Sequence, residues 1–308
     1  MIELDLVSKR YGNATVVDNL SLAVGDGEFC VLIGSSGAGK STALKMINQL
    51  IPPSAGTIRV DGKDAATVAP EELRRRMGYV IQSIGLFPHW TVERNVAAVP
   101  ALLGWTKPRI AERTRELLTL LKLEPESFAR KYPHQLSIGQ QQRVGIARAL
   151  AADPDVLLMD EPFGALDPIT RDALQAEIAR IHRESRKTIV FVTHDMEEAL
   201  KLATRIAVMD RGRLIQVGTP LEILASPASD FVRELVGQDE LGIRLLSVET
   251  VAERARPGEA PAAPAIAATA SLRQALSRMI AEKSDRLAVT DGGGRPIGAL
   301  HLADIVRR

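Results

Sequence analysis

Phe29-Cys30-Val31-Leu32-Ile33-Gly34-Ser35-Ser36-Gly37-Ala38-Gly39-Lys40-Ser41-Thr42 is the run on which the reading of the whole chain turns. Glu28 to Ile33 is nearly all apolar, as a strand covered on both faces of a sheet must be. Gly34 to Ser41 then fits G-x-x-x-x-G-K-[ST], and a helix starts within Gly39-Lys40-Ser41-Thr42. It shows Leu44 and Ile47 on one side and ends before Pro52-Pro53. Small residues let successive backbone N–H groups turn inward onto phosphate oxygens, and the helix aims its partly positive N-terminus at the same anion. Gly34, Ser35, Ser36, Gly37, Ala38, Gly39, Lys40, Ser41 and Thr42 are therefore candidate phosphate-binding residues. Lys40 places a point charge on the β/γ-phosphates, and the Ser41 hydroxyl is available to Mg²⁺. A chance match in a flexible loop would lack the strand before and the helix after.

Two more apolar runs end in reactive side chains. Val156-Leu157-Leu158-Met159 leads into Asp160-Glu161, two acids at the tip of a buried strand, where they face a ligand lying across the sheet edge. Asp160 is placed to hold Mg²⁺ through water, and Glu161 to polarise an attacking water. Thr188 to Val192 delivers Thr193-His194-Asp195, which sets His194 to contact a γ-phosphate and sense its loss. Gln82, after Tyr79-Val80-Ile81, offers a neutral ligand for Mg²⁺ or the lytic water. Tyr11 precedes Gly12 in the loop expected after the first strand; its ring can stack on adenine, with a place in the core as the competing reading.

Outward from these motifs the chain reads as strands over Ile2 to Val7, Asp18 to Val24 and Gly56 to Asp61. Residues from about Thr91 to Leu150 lack strand character. Ile110, Leu117, Leu118, Leu121 and Leu123 recur there at helical spacing, which predicts a helical insert. Alternation then resumes with a helix over Pro168 to Ser185, a helix over Glu197 to Ala203 and a strand over Ile206 to Met209. The pattern implies an α/β fold with a largely parallel core sheet. Near residue 237 it ends. Ala255 to Thr269, rich in Ala and Pro, reads as a loose connection. An amphipathic helix carrying Leu272, Ala275, Leu276, Met279 and Ile280 follows, then strands over Arg286 to Thr290 and Pro296 to Leu302 around Asp291-Gly292-Gly293-Gly294, and a short helix near Asp304.

Leu136-Ser137-Ile138-Gly139-Gln140-Gln141-Gln142-Arg143 separates this chain from the many others with a phosphate loop and an acid strand. Ser137 and Gln140 have capping-box spacing, so a helix N-terminus with a hydroxyl and a glycine presents a second phosphate site. One chain does not need two. Two chains packed head to tail would each bring this cap to the γ-phosphate held by the other. The segment is similar to the signature of ABC ATPases; Gln82 resembles their Q-loop glutamine, Gly164-Ala165-Leu166-Asp167 their D-loop and His194 their switch histidine. The resemblance covers about residues 1 to 237. It implies a P-loop NTPase fold with a RecA-like core, an antiparallel β-subdomain and a helical subdomain at about 91–150. It also implies ATP with Mg²⁺, and a homodimer (or a pair with a second ATPase subunit) sandwiching two ATP, with Ser137, Gly139, Gln140 and Asp167 reaching the partner's nucleotide. The family usually has glycine where this chain has Ile138. The hydroxyl at 137 and the glycine at 139 are retained, so cross-dimer contact is expected to persist.

Gln82-Ser83-Ile84-Gly85-Leu86-Phe87-Pro88-His89-Trp90-Thr91-Val92, Val99 to Trp105 and Phe191 to Leu200 look like the ATPases of glycine betaine, choline and related osmoprotectant importers. That resemblance implies integral-membrane permease subunits, an external solute-binding protein, and a place on the cytoplasmic face of the membrane. Import of another small solute, such as an amino acid, is the alternative. Residues 238–308 read as a linker and one CBS-like α+β unit, expected to pair with the tail of a second subunit. Truncation at 237 is expected to leave ATP hydrolysis while weakening dimerisation or regulation. CBS units that bind nucleotides often place Thr or Ser three residues before a ribose-binding Asp; here Asp304 is preceded by His301.

Composition narrows the classes further. Among 308 residues, 45% are apolar, 25% charged and 4% aromatic, an ordinary globular balance with an aliphatic core. A net charge of +1 gives no bulk attraction to nucleic acid. The single cysteine, Cys30, reads as a small buried hydrophobe. Nothing approaches the roughly 20 apolar residues of a membrane span, and Met1-Ile2-Glu3-Leu4-Asp5 carries acids where a signal peptide carries basic residues. DNA-acting relatives separate their two nucleotide motifs by long coiled coils, and ribosomal ones carry two cassettes. Here 120 residues separate Lys40 from Asp160, and one cassette is present.

Overall fold

The computed structural model describes residues 1–164, 166–259 and 263–306, and of Gln238 the main chain alone. Ala165 of the expected D-loop, residues 260–262 of the expected connection and Arg307-Arg308 lie outside the described residues. The chain divides into two compact units, residues 1–198 with 202–217 and residues 199–201 with 218–308.

The first unit begins with Ile2–Tyr11 (β1), Ala14–Val24 (β2) and Phe29–Gly34 (β3), followed by the helix Lys40–Ile47 (α1). Next come Ala55–Val60 (β4), Lys63–Asp64 (β5), Pro70–Arg75 (α2) and Met77–Val80 (β6). The expected insert is helical throughout: Val92–Val96 (α3), Ala98–Leu102 (α4), Lys107–Leu120 (α5), Pro125–Phe128 (α6) and Ile138–Leu150 (α7). Val156–Asp160 (β7), Pro168–Ser185 (α8), Thr188–Val192 (β8), Met196–Leu202 (α9), Arg205–Asp210 (β9) and Arg213–Gly218 (β10) complete the alternation.

Among the described residues one sheet runs β2-β1-β4-β5, all antiparallel, and a second runs β10-β9-β3-β8-β7-β6. In the second, β9, β3, β8, β7 and β6 are parallel. Every residue of β3, β7 and β8 is buried, as expected of strands covered on both faces. Leu44 and Ile47 of α1 pack with Leu32, Leu158 and Val190. Each such side chain contributes about 1.5–3 kcal/mol when fully buried. Parallel pairing brings the C-terminal ends of β3, β7 and β8 side by side, which is where the phosphate loop, Asp160-Glu161 and His194 emerge. Cys30 is fully buried, and burial pushes its thiol up to about 12, in keeping with a packing role.

One placement is corrected here. Tyr11 is not in the loop after the first strand: β1 continues through it, with Tyr11 opposite Ala14. The hairpin pairing extends the strand past the apolar run that marked it in the sequence.

The second unit contains Pro220–Ala225 (α10), Asp230–Val236 (α11) and Leu241–Val248 (α12). Arg256–Pro257 (β11), Ala265–Ala267 (β12), Leu272–Glu282 (α13), Arg286–Thr290 (β13), Pro296–His301 (β14) and Leu302–Val306 (α14) follow. The expected boundary at 237 falls just after α11, inside this unit. Its sheet runs β11-β14-β13-β12 over a core of Val251, Ile266, Leu272, Leu287, Val289 and Leu300. Ala255 to Thr269 is thus not wholly a loose connection: β12 pairs parallel with β13, Ile266 opposite Val289. Ile280 also departs from expectation. The buried stripe of α13 is Leu272, Ala275 and Met279, and Ile280, one residue past it, turns outward at 69% exposed.

Candidate active site

The phosphate loop is held open by backbone that side chains would block. Gly39 caps α1 at φ 93°, and a Cβ on it would stand 2.6 Å from the Val16 carbonyl oxygen. A Cβ at Gly34 would meet the Met209 carbonyl oxygen at 1.8 Å. Lys40 opens α1, is 5% exposed, and donates through Nζ to the Gly34 and Ser35 carbonyl oxygens, both at 2.8 Å. Burial lowers its pKa, against the opposing pull of Glu161 and Asp160. Ser35, Ser36 and Gly37 are exposed, Ala38 is buried, and Ser41 and Thr42 are half-buried on the first turn of α1. Ser35 Oγ donates to Asp210 Oδ1 at 3.0 Å, a contact with no counterpart in the motif itself.

Ser41 Oγ donates to Asp160 Oδ1 at 2.7 Å. Asp160 is 3% exposed; burial raises its pKa, while the Ser41 bond and the Lys45 charge work against the rise. Register explains the meeting: Asp160 shares a sheet face with Val156 and Leu158, and that face carries α1. Tyr79 on β6, opposite Leu158 of β7, has a buried hydroxyl with no hydrogen-bond partner among the described residues.

Glu161 follows directly, in the left-handed region at φ 44°, with its N–H donating to the Val192 carbonyl at 3.0 Å. Its Oε2 lies 3.3 Å from His194 Nδ1 and 3.4 Å from Gln82 Nε2. The His194 turn is fixed from below. Thr193 Oγ1 donates to Glu198 Oε2 at 2.7 Å and accepts from the Asp195 N–H at 3.0 Å. Gln175 Nε2 holds the other oxygen of Glu198 at 3.3 Å, and burial raises the pKa of that carboxyl. Glu161, Thr193, His194 and Glu198 are among the residues around a concavity of about 40 Å³, room for a water. Thr193 and Glu198 were not among the sequence candidates; a threonine and a helix-start glutamate give no local signal of a shared buried bond.

The structure thus brings Lys40, Ser41, Asp160, Glu161, Gln82 and His194 together. Tyr11 is 51% exposed, so it does not fill a core position, and Lys9 Nζ stands 5.0 Å from its ring centroid. The remaining candidates form a separate surface. Ser137 caps α7 by accepting from the Gln140 N–H at 3.3 Å, and Gln140 Oε1 accepts from the Ser137 N–H at 3.0 Å. Ser137, Gly139, Gln140, Leu166, Asp167 and Thr170 border a concavity of about 430 Å³, and no phosphate-loop residue lines it. A Cβ at Gly139 would crowd Thr170 Cγ2 at 3.0 Å. Asp167 caps α8 by accepting from the Thr170 N–H at 3.0 Å, and its hydrogen bonds from Thr170 lower its pKa. Ile138 occupies the first position of α7 and is 54% exposed.

In the tail, the Arg256 guanidinium grips both Asp304 oxygens at 2.7 and 2.9 Å, and this ion pair holds the Asp304 pKa low. His301 Nε2 sits 2.8 Å from Glu259. The carboxylate at the expected ribose position is already engaged.

A phosphate loop beside an acid strand, a helical insert and a second, separate helix cap define a class, and the chain belongs to it: the ABC transporter family, as an ATP-binding subunit. The family model described as "ABC transporter" matches residues 17–164, and that described as "CBS domain" matches residues 260–308. Within the class the chain is 54% identical, over 99% of both chains, to the glycine betaine uptake system ATP-binding protein YehX of Escherichia coli. It is 49% identical to the glycine betaine/carnitine/choline transport ATP-binding protein OpuCA of Bacillus subtilis, over 94% of this chain and 76% of that one. The dimeric post-hydrolysis structure of the ATP-binding cassette MJ0796 bound to ADP and Pi superposes at a TM-score of 0.65, with 34% identity over 71% of this chain and 98% of that chain. The protein is an ATPase coupled to transport. No helix among the described residues is long and apolar enough to cross a membrane.

Proposed function

We propose that two copies of this chain clamp two ATP molecules between them and drive uptake of glycine betaine or a related quaternary amine through membrane permease subunits. The observation that carries the solute class is the 54% identity to a glycine betaine uptake ATPase across 99% of both chains. The two-copy arrangement is supported by the split site: one chain offers a phosphate loop and, in a separate concavity, a helix cap with a hydroxyl. Exposed Ile138 and Ile169 beside that cap supply apolar surface for a seam. The ATPase domain is taken to end near 237, and the chain to work on the cytoplasmic face through its permease partners.

Within each half-site, Lys40 exchanges its two carbonyl partners for β/γ-phosphate oxygens, and the loop amides hold the rest. Tyr11, exposed beside the loop hairpin, is the candidate for stacking on the base. The donor set around Asp160 fits Mg²⁺: hard oxygens, few protein ligands and no competing soft donor. Ser41, Asp160 and Gln82 would hold the ion, which supplies charge neutralisation on the β/γ oxygens when bound. Glu161 orients and polarises the lytic water, with His194 fixing the carboxylate and touching the γ-phosphate. From the partner, Ser137, Gly139 and Gln140 approach the same phosphate, with Asp167 alongside. Hydrolysis removes the bridging phosphate and opens the pair.

Two measurements test this. Glu161→Gln should lower turnover by roughly 100- to 10,000-fold while ATP still binds, and it should trap a dimer in sedimentation. A monomer at saturating ATP would overturn the clamp. Uptake of labelled glycine betaine against choline and an amino acid, in vesicles carrying the co-purified permease, tests the solute class. Amino-acid uptake without betaine uptake would overturn it.

A further inference from the structure

Gln82 sits at the exposed start of a turn whose backbone is under strain. Ile84 at φ 63° and Gly85 at φ 57° stand consecutively in the left-handed region. For a β-branched residue that conformation is strained and persists only where neighbours enforce it. At φ 57° the Gly85 backbone is one that L side chains rarely adopt.

The enforcing group is a guanidinium from another element. Arg148, in the last turn of α7, donates through Nη1 to the Gly85 carbonyl oxygen at 2.6 Å and through Nη2 to that of Ile84 at 3.1 Å. Among the described residues it makes no ion pair, and burial lowers its pKa. A partly desolvated cation is therefore spent on two backbone carbonyls. A planar fork holds its two N–H donors at a fixed spacing that matches two successive carbonyls, a geometry the shorter, rotating ammonium of a lysine at this position would not fix. The same helix carries Ser137 at its other end, about 16.5 Å away at 1.5 Å per residue.

We propose that Arg148 is the positioning residue for the Gln82 turn, joining it to the helix whose N-terminus is capped by Ser137, so that displacement of either is transmitted to the other. Its catalytic consequence rests on the reading of Gln82 as a ligand for Mg²⁺ or the lytic water.

The test compares Arg148→Lys, Gln82→Ala and the double variant in the full chain. A nitroxide on Ser83→Cys reports order of the turn directly, since Ser83 is exposed and the native Cys30 is buried. Arg148→Lys should sharpen the nitroxide spectrum while melting temperature stays close to the parent. It should also raise the half-saturating Mg²⁺ for hydrolysis roughly three- to tenfold, about the loss of one hydrogen bond, with Mg²⁺-free ATP binding unchanged. Gln82→Ala should shift the Mg²⁺ requirement alike, and the double variant should be no worse than Gln82→Ala. An unchanged spectrum in Arg148→Lys overturns the proposal, as do fully additive Mg²⁺ effects. If Gln82→Ala alone leaves the Mg²⁺ requirement intact, the Gln82 assignment falls, and the nitroxide spectrum still decides whether Arg148 orders the turn.

Discussion

Lys40 and Asp160 are buried charges that the proposed function reserves for a ligand. Lys40→Ala removes a charge-assisted contact worth about 1.5–3 kcal/mol; ATP should bind at least about tenfold more weakly by fluorescence titration, and unchanged affinity would remove Lys40 from the phosphate site. Asp160 bears on stability as well. Burial puts its folded-state pKa above the unfolded value. The folded chain therefore holds the proton more tightly, and stability falls as pH rises through that interval. Asp160→Asn should raise the melting temperature of the nucleotide-free chain at pH 7, with the gain vanishing below about pH 3.9. The same variant should lose the additional stabilisation given by Mg²⁺ with ATP. A gain independent of pH would contradict the assigned cause.

At the scale of elements, α7 is capped at one end and tethered at the other. Ser137→Ala should cost about 1 kcal/mol and speed hydrogen exchange at the Gln140 amide, whereas Ser137→Thr should restore protection. Equal protection in all three would mean that the cap is not formed. The sequence made this helix start legible because Ser137 and Gln140 interact within one turn. Phosphate loop, acid strand and β8 were legible for the same reason: apolar run, then function, within about ten residues. What escaped reading depends on distant partners. β12 is three residues in an Ala/Pro-rich stretch and exists as a strand through β13. The outward turn of Ile280 depends on which stripe the tail core selects. The Thr193–Glu198 bond and the Arg148 clamp join residues whose types carry no local signature.

For the whole molecule, the tail too carries apolar side chains that stay exposed in the single chain. Ile280 on α13 and Val306 on α14 are 69% and 80% exposed, and the pairing expected between tails would cover them. Ile280→Ser should change the stability of the single chain by less than about 0.5 kcal/mol yet weaken nucleotide-independent self-association in sedimentation. Undiminished association would place the contact elsewhere. The hold of Lys40 on the Gly34 and Ser35 carbonyls has a further consequence for the cycle. On the proposed reading, nucleotide entry swaps one set of bonds for another, so the net affinity reflects the difference between them. On the same reading the reverse swap offers the ammonium a ready landing place as products depart, so the loop resets without a bare cation in the interior.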